Sequence, residues 1–132
     1  MTIQIRQMSP SASEAAIRDH RVKIDRPVDK GGSDAGPMGG ELFLAAIGGC
    51  FMSNFLAAAR ARQVHVTDVQ TAVIGTIDGS PPRFSQIELR VSADGLDHDL
   101  FEKLVEIAER GCIMVNTLRG KLDLKVRIAE HA

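Results

Sequence analysis

The chain has 132 residues, a length typical of one domain, so we predict a single domain over residues 1–132. Apolar residues make up 44% and charged residues 25%, a globular composition that excludes a wholly disordered chain. A net charge of −1 and only 4% aromatic residues argue against a nucleic-acid partner, because the chain offers neither a general basic surface nor many rings for stacking bases.

The N-terminal segment predicts short β-strands. Apolar and polar side chains alternate over residues 2–8 and again within residues 15–27, where Val22 and Ile24 lie between charged neighbours. A serine-rich turn lies between these strands. Residues 29–40 then form a glycine-rich loop, either ordered or mobile, because glycine and proline indicate only irregular backbone.

A long helix is predicted over residues 41–63, where alanine and leucine dominate and Arg60 and Arg62 lie in the last turn. The helix is apolar on all sides over residues 42–52. Such a helix is expected to be buried all round, either in the centre of the domain or at a subunit interface.

The second half of the chain predicts an antiparallel strand pair, two helices and a final strand. Asp97 is the expected N-cap of the first of these helices, and Gly111 is expected to interrupt it just before Cys112. Helices and strands mix without a βαβ repeat, so the predicted fold class is α+β with mostly antiparallel sheet. The predicted elements cover residues 64–78 and 84–93 (strands), 97–110 and 112–119 (helices) and 122–128 (strand).

The chain is expected to lie in the cytoplasm. Residues 1–6 lack the basic-then-apolar pattern of a signal peptide, and the longest apolar run, residues 42–52, is too short to cross a bilayer. We therefore expect no membrane partner, and we expect thiols that are kept reduced.

Cys50 and Cys112 are the candidate chemical groups. A buried cysteine is commonly a small apolar core residue, but two thiols in a reducing compartment also suit a pair in which one attacks and the other resolves. A nucleophilic thiol needs its pKa lowered by a cation, a helix N-terminus or a base. Cys50 lies too far inside its predicted helix to benefit from that helix's dipole, so a basic residue from elsewhere is expected. The candidates are Arg6, Arg18, Arg21, Arg26 and Arg119.

Neither a metal nor a cofactor is expected. The histidines are scattered without the spacing of metal ligands, and neither cysteine belongs to a CxxC motif. The glycine-rich loop lacks the GxxxxGK[ST] pattern of a phosphate-binding loop. The histidines are His20, His65, His98 and His131.

Two segments resemble a known family. Residues 36–50 read GPMGGELFLAAIGGC, which is similar to the pattern P-x-E-L-L-L-A-A-L-G-x-C of the OsmC/Ohr family. Residues 111–120 read GCIMVNTLRG and resemble that family's second signature, C-P-x-S-N-A-x-R-G, in the expected order. The resemblance begins near the segment VKIDRP, residues 22–27, and continues to the end of the chain.

The resemblance implies a fold and an activity. Members are intertwined homodimers of α+β fold, with the long cysteine-bearing helices at the centre and two equivalent sites at the dimer interface. The best-understood branch comprises thiol-dependent peroxidases that reduce organic hydroperoxides in oxidative-stress defence without metal or haem. By this resemblance Cys50 is the peroxidatic thiolate and Cys112 the resolving thiol, and an external dithiol reduces the disulfide that they form.

The first signature departs from the peroxidase branch at one position. Gly40 stands where that branch has a glutamate, and Glu41 follows it, nine residues before Cys50. Nine residues of continuous helix turn through about 900°, which puts Glu41 on the face opposite Cys50. Glu41 can therefore act at the site, by orienting an activating arginine, only if it precedes the regular helix, and its alternative role is that of a favourable first-turn anion.

Further departures concern the arginine and the second signature. The branch's activating arginine comes from its N-terminal hairpin, where Arg18 is our first candidate and Arg6 the second. In the second signature Ile113 replaces proline and Val115 replaces serine.

Three hypotheses follow. The leading one is a homodimeric thiol peroxidase, and the alternative is a non-catalytic OsmC-like protein that binds a small apolar ligand, or senses redox state, at the interfacial pocket. The third is a thiol hydrolase. The first requires Cys50 and Cys112 within disulfide reach, a Cys50 without a nearby cation favours the second, and a histidine beside Cys50 favours the third.

Overall fold

A computed structural model describes residues 1–129, which form two compact units. The first unit comprises Met1–Phe43, and the second begins at Leu44. The single domain predicted over residues 1–132 stays a prediction, and His131 lies outside the described residues.

The first unit holds a three-stranded antiparallel sheet. The sequence predicted one strand within residues 15–27, but a tight turn divides this part of the chain into two paired strands. Arg18 makes the turn with a left-handed backbone, φ 52°, and no glycine or asparagine marks it in the sequence. The elements are β1 (Gln4–Gln7), β2 (Ser13–Ile17), β3 (His20–Ile24) and a 3-10 turn (Val28–Lys30).

Asp25 organises the glycine-rich loop. It is 3% exposed, and its carboxylate accepts the backbone N–H groups of Arg26 at 2.7 Å, Ser33 at 3.0 Å and Ala35 at 3.1 Å. Gly32 lies so close to the Arg26 carbonyl that a Cβ at that position would clash with it. The sequence left open whether this loop is ordered or mobile. The structure shows an ordered loop, because one buried carboxylate holds three backbone N–H groups.

The long helix α1 (Gly39–Ala61) begins two residues before its predicted start. The Glu41 carboxylate accepts the Met38 N–H at 2.9 Å, which is the glutamate half of a capping box and fixes where the helix begins. Gln63 closes the other end with a left-handed backbone, φ 55°, and the Val64 N–H bonds back to the Ala59 carbonyl at 2.9 Å. This is a Schellman motif built without glycine.

In the second unit α1 is followed by a three-stranded sheet, whose strands lie in the order β4–β5–β6. β4 and β5 pair antiparallel as predicted, whereas β5 and β6 pair parallel, so the two helices between them form one βαβ crossover. The predicted α+β class is confirmed, because this crossover is single and does not repeat in the described chain. The elements are β4 (Thr67–Asp78), β5 (Arg83–Asp94), α2 (His98–Gly111), α3 (Ile113–Leu118) and β6 (Asp123–Ile128).

One face of α1 is exposed in the single chain, so of the two predicted ways to bury the helix all round only the subunit interface stays a prediction. Phe51 and Phe55 are fully buried, and a Cβ at Gly48 would lie 2.6 Å from Val73 of β4, which shows how closely α1 approaches the sheet on that side. The sheet of the second unit has a single layer, so it covers only one side of the helix. The exposed residues of the helix include Leu56, which is 38% exposed, and five small residues: Ala45, Ala46, Gly49, Ser53 and Ala57.

Aromatic contacts join α1 to α2. The Phe51 and Phe55 rings lie 6.4 Å apart, and Phe55 meets Phe101 edge to face at 5.8 Å, an arrangement that aromatic rings favour. Asp97 is the N-cap of α2 as predicted, since its carboxylate accepts the Leu100 N–H at 3.2 Å. These contacts fix α2, and with it the start of α3, against α1.

By length and composition alone α1 could cross a bilayer, with a mean hydropathy of 1.8 over its most apolar 18 residues. The central helix of a protein core passes the same test. Because α1 buries Phe51 and Phe55 within the second unit, its apolar composition has a second explanation and does not by itself indicate a membrane partner.

Replacing Asp25 by asparagine is expected to destabilise the protein at neutral pH. The Ala35 N–H holds the pKa of Asp25 below its ordinary value against the opposing effect of burial, with further help from the Arg26 and Ser33 N–H groups. A carboxyl with a lowered folded-state pKa stabilises the fold above its unfolded-state pKa, and this stabilisation is lost as pH falls through the folded-state pKa.

Thermal melting of Asp25→Asn across acidic and neutral pH measures this effect. The variant should melt below the native protein at neutral pH, and the gap should narrow on acidification. Asp19→Asn, which removes the same charge from an exposed turn, is the control and should melt like the native protein. A gap independent of pH would contradict the assignment.

Candidate active site

The structure brings the two cysteines together. The Cys50 and Cys112 side chains are neighbours within the second unit, since each affects the pKa of the other, and both are free thiols. Cys50 is half-buried on α1, whereas Cys112 is fully buried between α2 and α3. The peroxidase hypothesis requires neighbouring thiols of this kind, one accessible and one protected, and the disulfide between them stays a prediction.

A break between two helices positions Cys112. Its backbone is extended, φ −80° and ψ 113°, so α2 ends before it and α3 begins after it. The Cys112 N–H bonds to the Glu109 carbonyl at 3.3 Å, and the Asn116 N–H bonds to the Cys112 carbonyl at 3.0 Å. The sequence placed the interruption at Gly111, and the structure moves it one residue on, so that Cys112 both closes α2 and opens α3.

Asn54 is a part of the site that the sequence analysis missed. Its side-chain amide donates to the Cys50 carbonyl at 2.9 Å, and the same nitrogen lies 3.9 Å from the Cys50 sulfur. A Cβ at Gly111 would lie 3.1 Å from Asn54 Oδ1, so the glycine lets α2 approach α1 at this point. Helical spacing could have revealed Asn54, because residues four apart share a helix face.

The surroundings shift the pKa values of the two thiols in opposite directions. Burial raises the pKa of Cys50, but the Met114 N–H, the Cys112 thiol and the Ile113 N–H outweigh this, so its pKa lies below the ordinary value. Burial raises the pKa of Cys112, and its contact with Cys50 raises it further, against a smaller opposing effect of the Val115 N–H. Of the two thiols Cys50 is thus the more acidic and Cys112 the less acidic.

The other predicted site residues lie in the first unit. Glu41 accepts the Met38 N–H at 2.9 Å, which matches the predicted role of a first-turn anion. Arg18 lies at the turn between β2 and β3, and Arg6 lies in β1 opposite Glu14. The roles of Arg18, Arg6 and Glu41 towards Cys50 stay predictions.

The last candidate arginine and one of the histidines contact glutamates of α2. Arg119 pairs with Glu109 at 2.6 Å and therefore ties the end of α3 to α2. His98 lies 3.3 Å from Glu102 on α2. Among the described residues of the second unit, the groups that set the Cys50 pKa include no histidine, so the hydrolase hypothesis gains no support there. Over residues 1–129, no three histidine, cysteine or acidic side chains converge as a metal site requires.

Sequence comparison agrees with the two cysteine-centred signatures. Residues 31–127 match the family model for OsmC-like proteins. The chain belongs to the OsmC-like protein family. The match includes both cysteines and the helix break between α2 and α3. No curated protein matches the chain.

Solved structures share the fold of this OsmC-like protein over nearly its whole length. An organic hydroperoxide resistance protein OsmC from Legionella pneumophila aligns with a TM-score of 0.76 at 22% identity, over 98% of this chain and 97% of its own. The organic hydroperoxide resistance protein OhrB of Bacillus subtilis gives 0.70 at 20%, over 98% of each chain. An OsmC-like protein from Mycoplasma pneumoniae gives 0.81 at 16%, over 99% and 96%. At these identities the likeness shows the fold alone, and it confirms the predicted OsmC-like architecture.

Alkylation should distinguish the two thiols. Iodoacetamide is expected to modify Cys50 first, and at lower pH than Cys112, because Cys50 is the more exposed sulfur with the lowered pKa. Peptide mass spectrometry of the reduced protein, sampled over time at several pH values, measures both rates. In denaturant the two rates should become equal. Faster modification of Cys112 in the folded protein would contradict the assignment.

Proposed function

We propose that this OsmC-like protein is a thiol-dependent peroxidase that reduces organic hydroperoxides. Cys50 is the attacking thiolate and Cys112 the resolving thiol. The observation that carries the proposal is the contact between a half-buried thiol of lowered pKa and a fully buried thiol of raised pKa. A peroxidatic sulfur has to be ionised and reachable, and a resolving sulfur has to be adjacent to it.

The chemistry balances with these two sulfurs and one external reductant. The Cys50 thiolate attacks the distal oxygen of the hydroperoxide, the O–O bond breaks, and the alkoxide leaves and takes up a proton to become the alcohol. Cys50 is now a sulfenic acid. The Cys112 sulfur attacks the Cys50 sulfur, a disulfide forms, and the hydroxyl leaves as water with the Cys112 proton. An external dithiol returns both residues to thiols and becomes a disulfide itself.

An apolar substrate suits the surroundings of Cys50. Ile113, whose N–H faces the Cys50 sulfur, is 71% exposed, and Met114 next to it is half-buried. We propose that these apolar side chains bind the organic group of an alkyl or aryl hydroperoxide, which hydrogen peroxide lacks, since that group can bury surface on them. The names of the Legionella and Bacillus proteins, which refer to organic hydroperoxide resistance, agree with this substrate class.

We further propose a cytoplasmic homodimer. The exposed surface of α1 carries Leu56 and several small residues that allow another helix to approach closely, and Ile74 and Ile77 of β4 add exposed apolar surface in the same unit. A second copy of the chain is the proposed partner for these surfaces. In this assembly Arg18 is the first candidate for a cation that acts on Cys50, Arg6 is the second, and Glu41 is the candidate for orienting it.

One observation favours a second function. The groups of the second unit that lower the Cys50 pKa are two backbone N–H groups and a thiol, and no cationic side chain is among them. A Cys50 activated only in this way could serve a non-catalytic OsmC-like protein that binds a small apolar ligand or senses redox state. Reaction with a hydroperoxide separates the two functions.

One equivalent of tert-butyl hydroperoxide added to the reduced protein should consume both thiols within seconds to minutes. Thiol titration should fall to zero, and the intact mass should fall by two hydrogens as the Cys50–Cys112 disulfide forms. Cys50→Ser should lose no thiol, and Cys112→Ser should stop at an oxidised Cys50. Two thiols left untouched in the native protein would contradict the peroxidase and favour ligand binding.

A further inference from the structure

We propose that the side-chain amide of Asn54 donates a hydrogen bond to the Cys50 sulfur when this sulfur is ionised, and so stabilises the reactive thiolate. The amide nitrogen lies 3.9 Å from the sulfur and 2.9 Å from the carbonyl oxygen of the same cysteine. The contact does not depend on the reaction that Cys50 performs, but its part in peroxide reduction rests on the proposed function.

One amide nitrogen can serve both acceptors of Cys50. A primary amide carries two N–H groups on its nitrogen. One donates to the Cys50 carbonyl, one helical turn back along α1, and the second is left for the sulfur. A thiolate accepts stronger, charge-assisted hydrogen bonds than a thiol does, so ionisation of Cys50 should strengthen this long N–H···S contact.

The surroundings fix which end of the amide faces Cys50. With the amide reversed, its oxygen would lie 2.9 Å from the Cys50 carbonyl oxygen, and two acceptors would repel each other. The amide oxygen instead faces the end of α2, where a Cβ at Gly111 would lie 3.1 Å from it. The donor end of Asn54 is therefore held towards Cys50.

Helix formation does not explain an asparagine at this position. Asparagine is less favourable than alanine in a helix interior, because its side chain bonds readily to the backbone in other conformations. Between Glu41 and Arg60 the polar side chains of α1 are Ser53, which is exposed, and Asn54, which is half-buried. The half-buried polar side chain of this apolar segment is thus the one that contacts the reactive cysteine.

The ionisation of Cys50 should report the loss of this donor directly. Within the part of the second unit that the structure describes, the titratable group facing Cys50 is the Cys112 thiol, at the junction of α2 and α3. The groups of that unit that lower the Cys50 pKa include no charged side chain. A nearby charge therefore does not compensate for a missing amide there.

Two substitutions separate the sulfur contact from the carbonyl contact. A serine hydroxyl has one O–H, which in a helix can bond to the carbonyl four residues back, so Asn54→Ser keeps a donor for the Cys50 carbonyl and has none left for the sulfur. Asn54→Ala removes both donors. The measurement is the rate of Cys50 alkylation by iodoacetamide against pH, followed by peptide mass spectrometry.

Both variants should move the Cys50 profile to higher pH and slow alkylation at neutral pH about threefold, as the loss of a weak hydrogen bond to a charged group predicts. The rate at high pH should not change. Cys112 is the internal control in the same samples and should stay slow. An Asn54→Ser profile that coincides with the native one would overturn the proposal, because the carbonyl contact alone would then be enough.

Asn54→Asp tests the sign of the effect. It keeps the shape of the side chain and places a carboxylate where the amide donor was. Because a like charge disfavours the thiolate, the Cys50 profile should move to higher pH than that of Asn54→Ala. A profile at or below the native one would overturn the proposal.

A measurement on the native protein covers the case in which the variants do not fold. The side-chain amide resonances of Asn54 should move as pH passes through the Cys50 titration, and they should stay still in Cys50→Ser. Asn54 amide resonances that do not follow Cys50 in the native protein would overturn the proposal.

The outcome is separable from that of the peroxidase. Alkylation and amide titration need no hydroperoxide, so they can support the Asn54 donor even if tert-butyl hydroperoxide leaves both thiols intact. Conversely, a native protein that reduces the hydroperoxide while the native and Asn54→Ser profiles coincide would keep the peroxidase and reject the Asn54 donor.

Discussion

The contact between Cys50 on α1 and Cys112 at the junction of α2 and α3 is the interaction on which the rest of the site depends. It exists because the chain breaks between α2 and α3 at Cys112, which places a second thiol next to Cys50. Gly111 lets α2 approach Asn54 at this point, and the aromatic contact of Phe55 with α2 holds the two helices together. The parallel pairing of β6 with β5 then closes the crossover that carries this junction.

Hydrogen bonding, and not burial, gives the two thiols pKa values that are shifted in opposite directions. Both are partly or fully removed from water, which alone would raise the pKa of each. Only Cys50 also receives enough hydrogen bonds to reverse that effect. One of them comes from the Cys112 thiol, and the same interaction raises the pKa of Cys112. An asymmetric pair of this kind suits a reaction in which one sulfur acts as an anion and the other as a proton-bearing partner.

The sequence predicted much of the fold and the central pair of the site. The helix that carries Cys50, the N-cap at Asp97 and the joint cysteine signatures followed from periodicity, capping chemistry and a resemblance between short segments. Asn54 and Asp25 were missed, because a polar residue acts through neighbours that only the fold brings near. The turn at Arg18 was missed since no glycine marks its left-handed backbone. The sequence left open whether the domain or a subunit interface covers α1, because composition does not say how many layers of sheet surround a helix.

The most direct test of the account is to trap the first oxidation product of Cys50. The Cys112→Ser variant cannot form the disulfide, so a sulfenic acid made by tert-butyl hydroperoxide should persist long enough to react with dimedone. Peptide mass spectrometry is expected to find a near-stoichiometric adduct on Cys50 that depends on the hydroperoxide. Absence of the adduct, with Cys50 still a free thiol, would contradict the claim that Cys50 is a peroxidatic thiolate.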